Sequence, residues 1–529
     1  MAKSSTNTCV LSLPLIVERW QEDKLNKRLE IARKIQNSLI RFELKKLKRL
    51  EFSYEHKEVQ TQIKALYDAG KKDTSELKDL FKKRDKLRSD AGFTEFQFQR
   101  DVQLFYKYFS DNIGSGVASQ GIALDVWAAF DKYFHGNGEI VHFKRKDSVN
   151  SVKGGNCSAP NSGGKEIMFK GNYVAWKELK LRVKMDPNNQ YEQEMLLNRI
   201  KYCRIIRKRG KNKWRWYVQL SLEGTPAIKC NQETGELLHP IGTGAVGIDI
   251  GPSVIAYSSD TEAALTGLAN KVEDIEREKT IIQRRMDRSR RAMNPINYNE
   301  DGTIKRGIKL TRNESSRYKR DKARLAYLMA HQAEIRKIQH NELANHLISL
   351  GNQFFVEDMD WTGLAHRAKK TEKSEKTGKY KRKKRFGKSI GNRAPAMLIS
   401  MLDLKLTTRG MPGVQKVPTS LCASQFNHIT GECVKKSLSQ RWNYMPDGKK
   451  IQRDLYSAFL LQHLEETGEE AVKKSGSKKK KKSAKTYTYN REALNNAYDG
   501  FVRLHDIAIE RAKHEPHVLS SMGFKKDEF

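Results

Sequence analysis

The sequence predicts an α/β multidomain protein, on three observations. Apolar residues recur at helical spacing after a short opening strand. The period then shortens to two, and beyond Gly242 strand-like and long helical stretches alternate. With 529 residues, 38% of them hydrophobic, the chain can bury several cores, and about three domains are expected.

The first element is a β-strand from Cys9 to Val17. It could be confused with a secretory apolar stretch, but Pro14 interrupts it, Glu18-Arg19 follows at once, and no small-residue cleavage site is present. From residue 20 to 135 the pattern is helical: Leu25, Leu29, Ile31, Ile35, Leu39, Ile40 and Leu44 line one face, and further helices are expected over 55–68, 74–88 and 96–109. Lys45, Lys46 and Arg49 cluster on the first helix with little acidic relief, as a solvated face does, or a surface that meets phosphates.

From Gly138 short alternating segments read as strands at 139–144, 166–170, 180–184 and 200–207, and Arg209-Gly210-Lys211-Asn212 turns the last of these into a hairpin with 214–222. With the opening strand they suggest a small β-barrel interrupted by the helices. Trp214 and Trp216 share one strand face, where they either stack on bases or fill the barrel.

After Gly242, strands are expected at 245–250, 254–258 and 354–356, with long helices at 272–293 and 315–350. The first of these helices carries Arg284, Arg285, Arg288, Arg290 and Arg291, a density that favours contacts to phosphates. Residues 366–388, including Lys384 and Arg385, read as a basic loop, followed by helix at 392–408 and strand at 413–417. The Lys-rich stretch 473–485, with its run Lys478–Lys482, reads as a surface insertion that adds nonspecific affinity.

Composition narrows the partners. Lys plus Arg number 100 against 63 Asp plus Glu, a net charge of +37, which calls for a polyanion held mainly through its phosphates. The six cysteines contain no CxxC and no disulfide framework, so a reducing, cytoplasmic setting is expected. No apolar run approaches a membrane span, and no membrane partner is expected.

Three acidic segments stand out against this basic background. They are Gly247-Ile248-Asp249-Ile250-Gly251, Phe354-Phe355-Val356-Glu357-Asp358-Met359 and Arg453-Asp454-Leu455-Tyr456-Ser457-Ala458. Asp249 and Glu357 lie in apolar strands, and Asp454 opens a helical run. Brought together, the three carboxylates would hold hard divalent cations, as two-metal phosphodiester hydrolysis requires.

In order and spacing these segments resemble the three RuvC motifs of the transposon-encoded TnpB nucleases and the compact type V CRISPR effectors. The Arg290-Arg291 helix end with its Asn-Pro turn and Val417-Pro418-Thr419-Ser420 also look familial. The resemblance implies an RNase H-like RuvC nuclease domain, a wedge β-barrel and a helical recognition insertion. The expected order is a first wedge strand in 1–19, recognition helices in 20–135, wedge barrel in 136–242, RuvC in 243–420 and 443–529, and a target-strand module in 421–442. It further implies a guide RNA, double-stranded target DNA read by base pairing beside a short flanking motif, and one or two protein copies per guide. Asp249, Glu357 and Asp454 carry over as ligands of catalytic Mg2+, with two ions expected.

The chain departs from the family in the 421–442 module. Where many relatives carry two CxxC pairs, this one has Cys422, His428 and Cys433, one ligand short of a tetrahedral zinc site, so Zn2+ is not expected there; His463 or water could supply a fourth ligand. Other functions remain open. An unguided RuvC-like resolvase or transposase would leave the barrel half without a task, and a guided binder that does not cut would have no need of all three acids. An actin-like ATPase would require a second phosphate loop, which Val356-Glu357-Asp358 is not.

Overall fold

The computed structural model describes residues 7–523 apart from 72–73, 137, 157–166, 212, 232, 367–385, 438 and 472–482. Lys384, Arg385 and most of the Lys-rich stretch lie outside the described residues. The chain forms two compact units, one ending at Ile228 and the other beginning at Lys229. Among the described residues no helix is long and apolar enough to cross a membrane.

In the first unit, β1 (Thr8–Ile16) alternates buried and exposed residues, and α1 (Arg19–Phe52) runs on from it for 34 residues. Leu25, Leu29, Ile35 and Leu39 are its buried stripe, at the spacing the sequence shows. There follow α2 (Tyr54–Asp68), α3 (Ser75–Asp90), α4 (Glu95–Asp101), α5 (Gln103–Tyr106) and α6 (Leu124–Phe134), with a π-helical turn at Val117–Ala123 just before α6. The helix expected over 96–109 is therefore broken into short pieces.

The strands β2 (Ser151–Asn156), β3 (Ile167–Phe169), β4 (Tyr173–Trp176), β5 (Leu179–Val183), β6 (Ile200–Arg209) and β7 (Trp214–Glu223) join β1 in one seven-stranded antiparallel sheet, and α7 (Gln190–Leu196) links β5 to β6. The order is β2-β6-β7-β1-β5-β4-β3. Its two edges approach each other, since a β-carbon on Gly154 of β2 would stand 3.0 Å from Ile167 of β3. The sheet is thus curled almost into the expected barrel. The expected strand at 139–144 does not form: that segment runs as irregular backbone, with Asn37 of α1 accepting from the Lys144 amide at 2.8 Å and donating to its carbonyl at 2.9 Å. Side-chain hydrogen bonds take the place of a ladder there, and β2 supplies the edge instead.

In the second unit, β8 (Ala245–Ile250), β9 (Val254–Ser258) and β10 (Ala263–Gly267) form an antiparallel meander. Two helices, α8 (Val272–Met293) and α9 (Ser316–Leu350), lead to β11 (Gln353–Glu357), which pairs parallel to β8. Three helices, α10 (Trp361–Ala365), α11 (Gly387–Arg393) and α12 (Pro395–Thr407), precede β12 (Gln415–Val417), which pairs parallel to β11. The sheet order is β10-β9-β8-β11-β12. The helix expected over 392–408 is α12, which begins at Pro395 because Ala394 adopts φ 48° and separates it from α11.

The two faces of this sheet differ. Val246, Ile248, Phe354 and Val356 point to a core completed by Ala344, Leu347 and Ile348 of α9 and by Leu398, Leu402 and Leu406 of α12. On the other face lies α13 (Arg453–Gln462), entered through the hairpin of β13 (Trp442–Tyr444) and β14 (Lys450–Gln452). A second hairpin, β15 (Leu464–Ala471) with β16 (Ser483–Tyr489), leads to α14 (Arg491–Lys513) and α15 (Leu519–Met522).

Candidate active site

Pairing places the first two acids. Phe355 is opposite Gly247 and Val356 opposite Ile248, so one step further Glu357 stands beside Asp249. Both are at the carboxyl ends of adjacent parallel strands. They share the face of Gly247, because residues two apart on a strand point the same way.

Gly247 then places the third. A β-carbon on it would lie 1.9 Å from the carbonyl oxygen of Ala458 and 2.4 Å from the amide nitrogen of Gln462, so α13 rests its backbone directly on β8 at this residue. Asp454 is one helical turn before Ala458, and Asp249 is two strand residues beyond Gly247. The two steps cover about 6 Å and about 6.6 Å, which brings Asp454 over Asp249. Ser457, buried on the same helix, donates to Asp249.

The carboxylates act on one another. Burial, first, and then the charges of Asp454 and Glu357 hold the Asp249 carboxyl well above the usual carboxylate range. Burial also raises Glu357, partly offset by the Ala423 backbone amide. Asp454 faces Arg453, whose Nε and Nη2 donate to Oδ1 at 3.3 Å, and the side chain of Gln452, the N-cap of α13, donates to Oδ2 at 3.4 Å. Ser457, Gln452 and Arg453 join the site only in the fold. Their signal was proximity to Asp454 on a helix whose first turn faces the strand.

The donor set suits a hard divalent cation in chemistry: oxygen ligands only, from three elements, with mutual repulsion that a cation would reverse. As the side chains stand, no three His, Cys, Asp or Glu residues among the described residues close at metal-ligand spacing. The nearby acids serve other ends. Asp358 pairs with Lys416 at 3.5 Å, Asp360 accepts from the Gly363 amide at 2.9 Å as the N-cap of α10, and Asp499 pairs with Lys449 at 2.9 Å.

Cys422, His428 and Cys433 do not form a ligand group either. His428 is fully buried, with Nδ1 at 2.6 Å from the Tyr456 hydroxyl and its ring packed against Tyr498. Cys433 is exposed and its backbone bridges Phe426. His463 turns its Nδ1 to the Phe459 carbonyl at 3.0 Å.

The basic candidates divide. Lys45 and Arg49 are exposed on α1, but Lys46 is not a surface cation. Its ammonium lies 2.9 Å from Glu43 and 2.8 Å from Asp101, against Phe42, Phe93 and Phe98. Trp216 is likewise corrected: its ring is 4% exposed and belongs to the barrel core, because β7 alternates and position 216 faces inward. Trp214, at the strand end, is half-buried beneath the guanidinium groups of Arg207 and Arg209 at 4.3 and 4.8 Å.

On α8, Arg285 braces α9 through a two-pronged pair with Asp321, and so is taken by the fold. Arg290 and Arg291 both pair with Asp287, at 3.5 and 3.0 Å, and Arg291 also donates to the Gly302 carbonyl at 2.9 Å. Arg284 and Arg288 are exposed and make no ion pair among the described residues.

No protein-family model matches the chain, and no curated protein matches it. Among solved structures it is similar to the protein of a Cas12f1–sgRNA–target DNA complex, at 12% identity and a TM-score of 0.38, over 86% of this chain and 98% of that one. A CRISPR–Cas12f ternary complex matches at 11% identity and a TM-score of 0.24, over the same shares of the two chains. Likeness this weak defines neither fold nor activity, which rest on the chain's own residues.

Proposed function

We propose that the chain is an RNA-guided DNA endonuclease of RuvC type, which pairs a bound guide RNA with target DNA beside a short flanking motif and hydrolyses DNA phosphodiesters. The observation that carries this reading is the convergence of Asp249, Glu357 and Asp454 from β8, β11 and α13, built around the close approach of α13 to Gly247. A mixed sheet with the acids at the carboxyl ends of two parallel strands supports an RNase H-like domain. The net charge of +37 and the separate barrel-and-helix unit support a bound RNA and a duplex partner.

Asp249, Glu357 and Asp454 would hold Mg2+. When bound, the ions supply an activated water and neutralise charge on the leaving oxygen. The chain's own part is to fix the carboxylates: Ser457 orients Asp249, the Ala423 amide steadies Glu357, and Arg453 and Gln452 hold Asp454 from the side. The 421–442 segment would position DNA without zinc. One or two copies of the chain would share a guide, in the cytoplasm.

Sequencing the RNA that copurifies with the protein, then comparing cleavage of DNA matched or scrambled against its variable end, tests the proposal. A structured RNA and cutting of the matched DNA alone are expected. Equal cutting of both would leave an unguided resolvase-like or transposase-like nuclease, and guided binding with no cutting would leave a binder.

A further inference from the structure

A cleft of about 210 Å³ opens directly beside Glu357, on the side of the sheet away from α13. Its walls are Ile250 and Val356 from the strand ends, Ile399 of α12, Val414, Met359 and the indole of Trp361. Its rim is polar, with Ser400, Asp403 and Lys416. Trp361 is half-buried at the start of α10, held there by the Asp360 N-cap and by packing against the sheet core. Asp403 commits Oδ1 to the Val414 amide at 2.9 Å, which fixes that wall.

The cleft is smaller than the ~300–1,000 Å³ of pockets for drug-sized ligands, so it suits one planar ring system rather than a larger molecule. An apolar slot with one aromatic wall and a few polar groups at the rim is what an unstacked base requires. Its faces need apolar or aromatic cover and its edge needs donors and acceptors. Glu357 lines this cleft and ends the strand that brings it beside Asp249, so the cleft opens at the same carboxyl ends of β8 and β11 that carry the acids.

We propose that this cleft takes one nucleobase of the DNA strand being cut, next to the scissile phosphate, with Trp361 as its stacking wall. Trp361 is then a positioning residue, and the inference rests on the endonuclease reading. Drawing one base out of the stack would turn the adjoining phosphate toward Asp249, Glu357 and Asp454. It would also require single-stranded or locally melted DNA at the cut.

The test uses the RNA-loaded full-length protein on target DNAs that carry one abasic site at each position around the mapped cut. One abasic position should slow cutting by about tenfold or more, within the range of base–aromatic stacking. Trp361→Ala should slow cutting of intact DNA by a similar factor and show no further loss at that position, and Trp361→Phe should restore most of the rate. Uniform tolerance of abasic sites overturns the proposal. So does a Trp361→Ala loss that multiplies with the abasic loss. A second measurement reads the cleft without catalysis: a single-stranded oligonucleotide with one 2-aminopurine, titrated with the protein. Quenching that Trp361→Ala abolishes supports the cleft even if no DNA is cut, in which case only the endonuclease reading fails. Equal quenching by both proteins, or none by either, sinks the cleft itself.

Discussion

The Ala458 carbonyl oxygen of α13 occupies the space that a β-carbon on Gly247 of β8 would need, 1.9 Å from it. Only a residue without a side chain lets the helix lie this close to the strand. The neighbour is backbone rather than the end of a flexible side chain, so it cannot swing aside.

Gly247→Ala should therefore push α13 outward. Overpacking of this kind costs about 1–3 kcal/mol, and here the displaced element carries Asp454. A lowered Tm for the second unit together with cleavage lost well beyond the change in folded fraction is expected. Wild-type Tm and cleavage would mean that the helix is not seated on Gly247.

The acids separate catalysis from folding. Asp249 sits among Asp454 and Glu357 in a site where burial already disfavours its charge. Asp249→Asn keeps the shape and removes a like-charge repulsion, so Tm should hold or rise. Cleavage in Mg2+ should fall at least about a thousandfold, roughly 4 kcal/mol of barrier, for this variant and for Glu357→Gln and Asp454→Asn. Binding of matched DNA should persist in each, since the basic residues remain. Near wild-type cutting by Asp249→Asn refutes the site.

A buried triad in the first unit yields a pH prediction. Glu43 is fully buried beside Lys46 and Asp101, and burial, set against the pull of Lys46, pushes its carboxyl up to about 8. Glu43 is thus neutral in the fold at pH 7, whereas in the unfolded chain it is ionised. The folded state binds the extra proton, so Glu43 lowers stability progressively as pH rises from its ordinary range, about 4.5, to about 8. Glu43→Gln should flatten that slope and melt higher than wild type at pH 8. Lys46→Ala leaves the buried Asp101 charge without its cation and should cost about 3–5 kcal/mol while changing nucleic-acid affinity little. Urea unfolding against pH measures the first effect, and filter binding of the folded variant the second.

These contrasts show what could be read from the chain in advance. Period and glycine placement revealed the strands at 245–250 and 354–356, and the long helices at 272–293 and 315–350, because burial on one face leaves a repeat in the sequence. The acids stood out because Asp249 and Glu357 interrupt apolar strands. The fate of a cation did not show: Lys45 meets solvent, whereas Lys46, three residues after Glu43 on the same helix, is also held by Asp101, a partner remote in sequence. Nor did the edge strand β2, whose Ser-Val-Lys-Gly-Gly-Asn alternates weakly and is held by its pairing with β6. The cleft at Trp361 was equally hidden, since its walls come from strand ends and a helix brought together only by the sheet.

His428 gives the last prediction. The Tyr456 hydroxyl accepts from the His428 amide at 3.1 Å and lies 2.6 Å from the ring Nδ1. Nε2 is buried without a hydrogen-bond partner. A charged imidazole there would be desolvated, with Arg491 and His463 opposing it and only Asp447 in favour, which lowers its pKa to about 4. The unfolded chain binds the proton first. This residue's contribution is then fully present above about pH 6.5 and is lost as pH falls toward 4, up to about 3 kcal/mol across that window. His428→Gln should melt lower than wild type at pH 7.5, for want of a fit between Tyr456 and Tyr498, yet lose less on acidification to pH 4.5. Cys422, His428 and Cys433 close into no ligand group among the described residues, so zinc content by elemental analysis should be equal in wild type and variant. A steeper acid loss in the variant would refute the buried neutral ring, and zinc present in wild type but absent in the variant would refute its isolation from the two thiols.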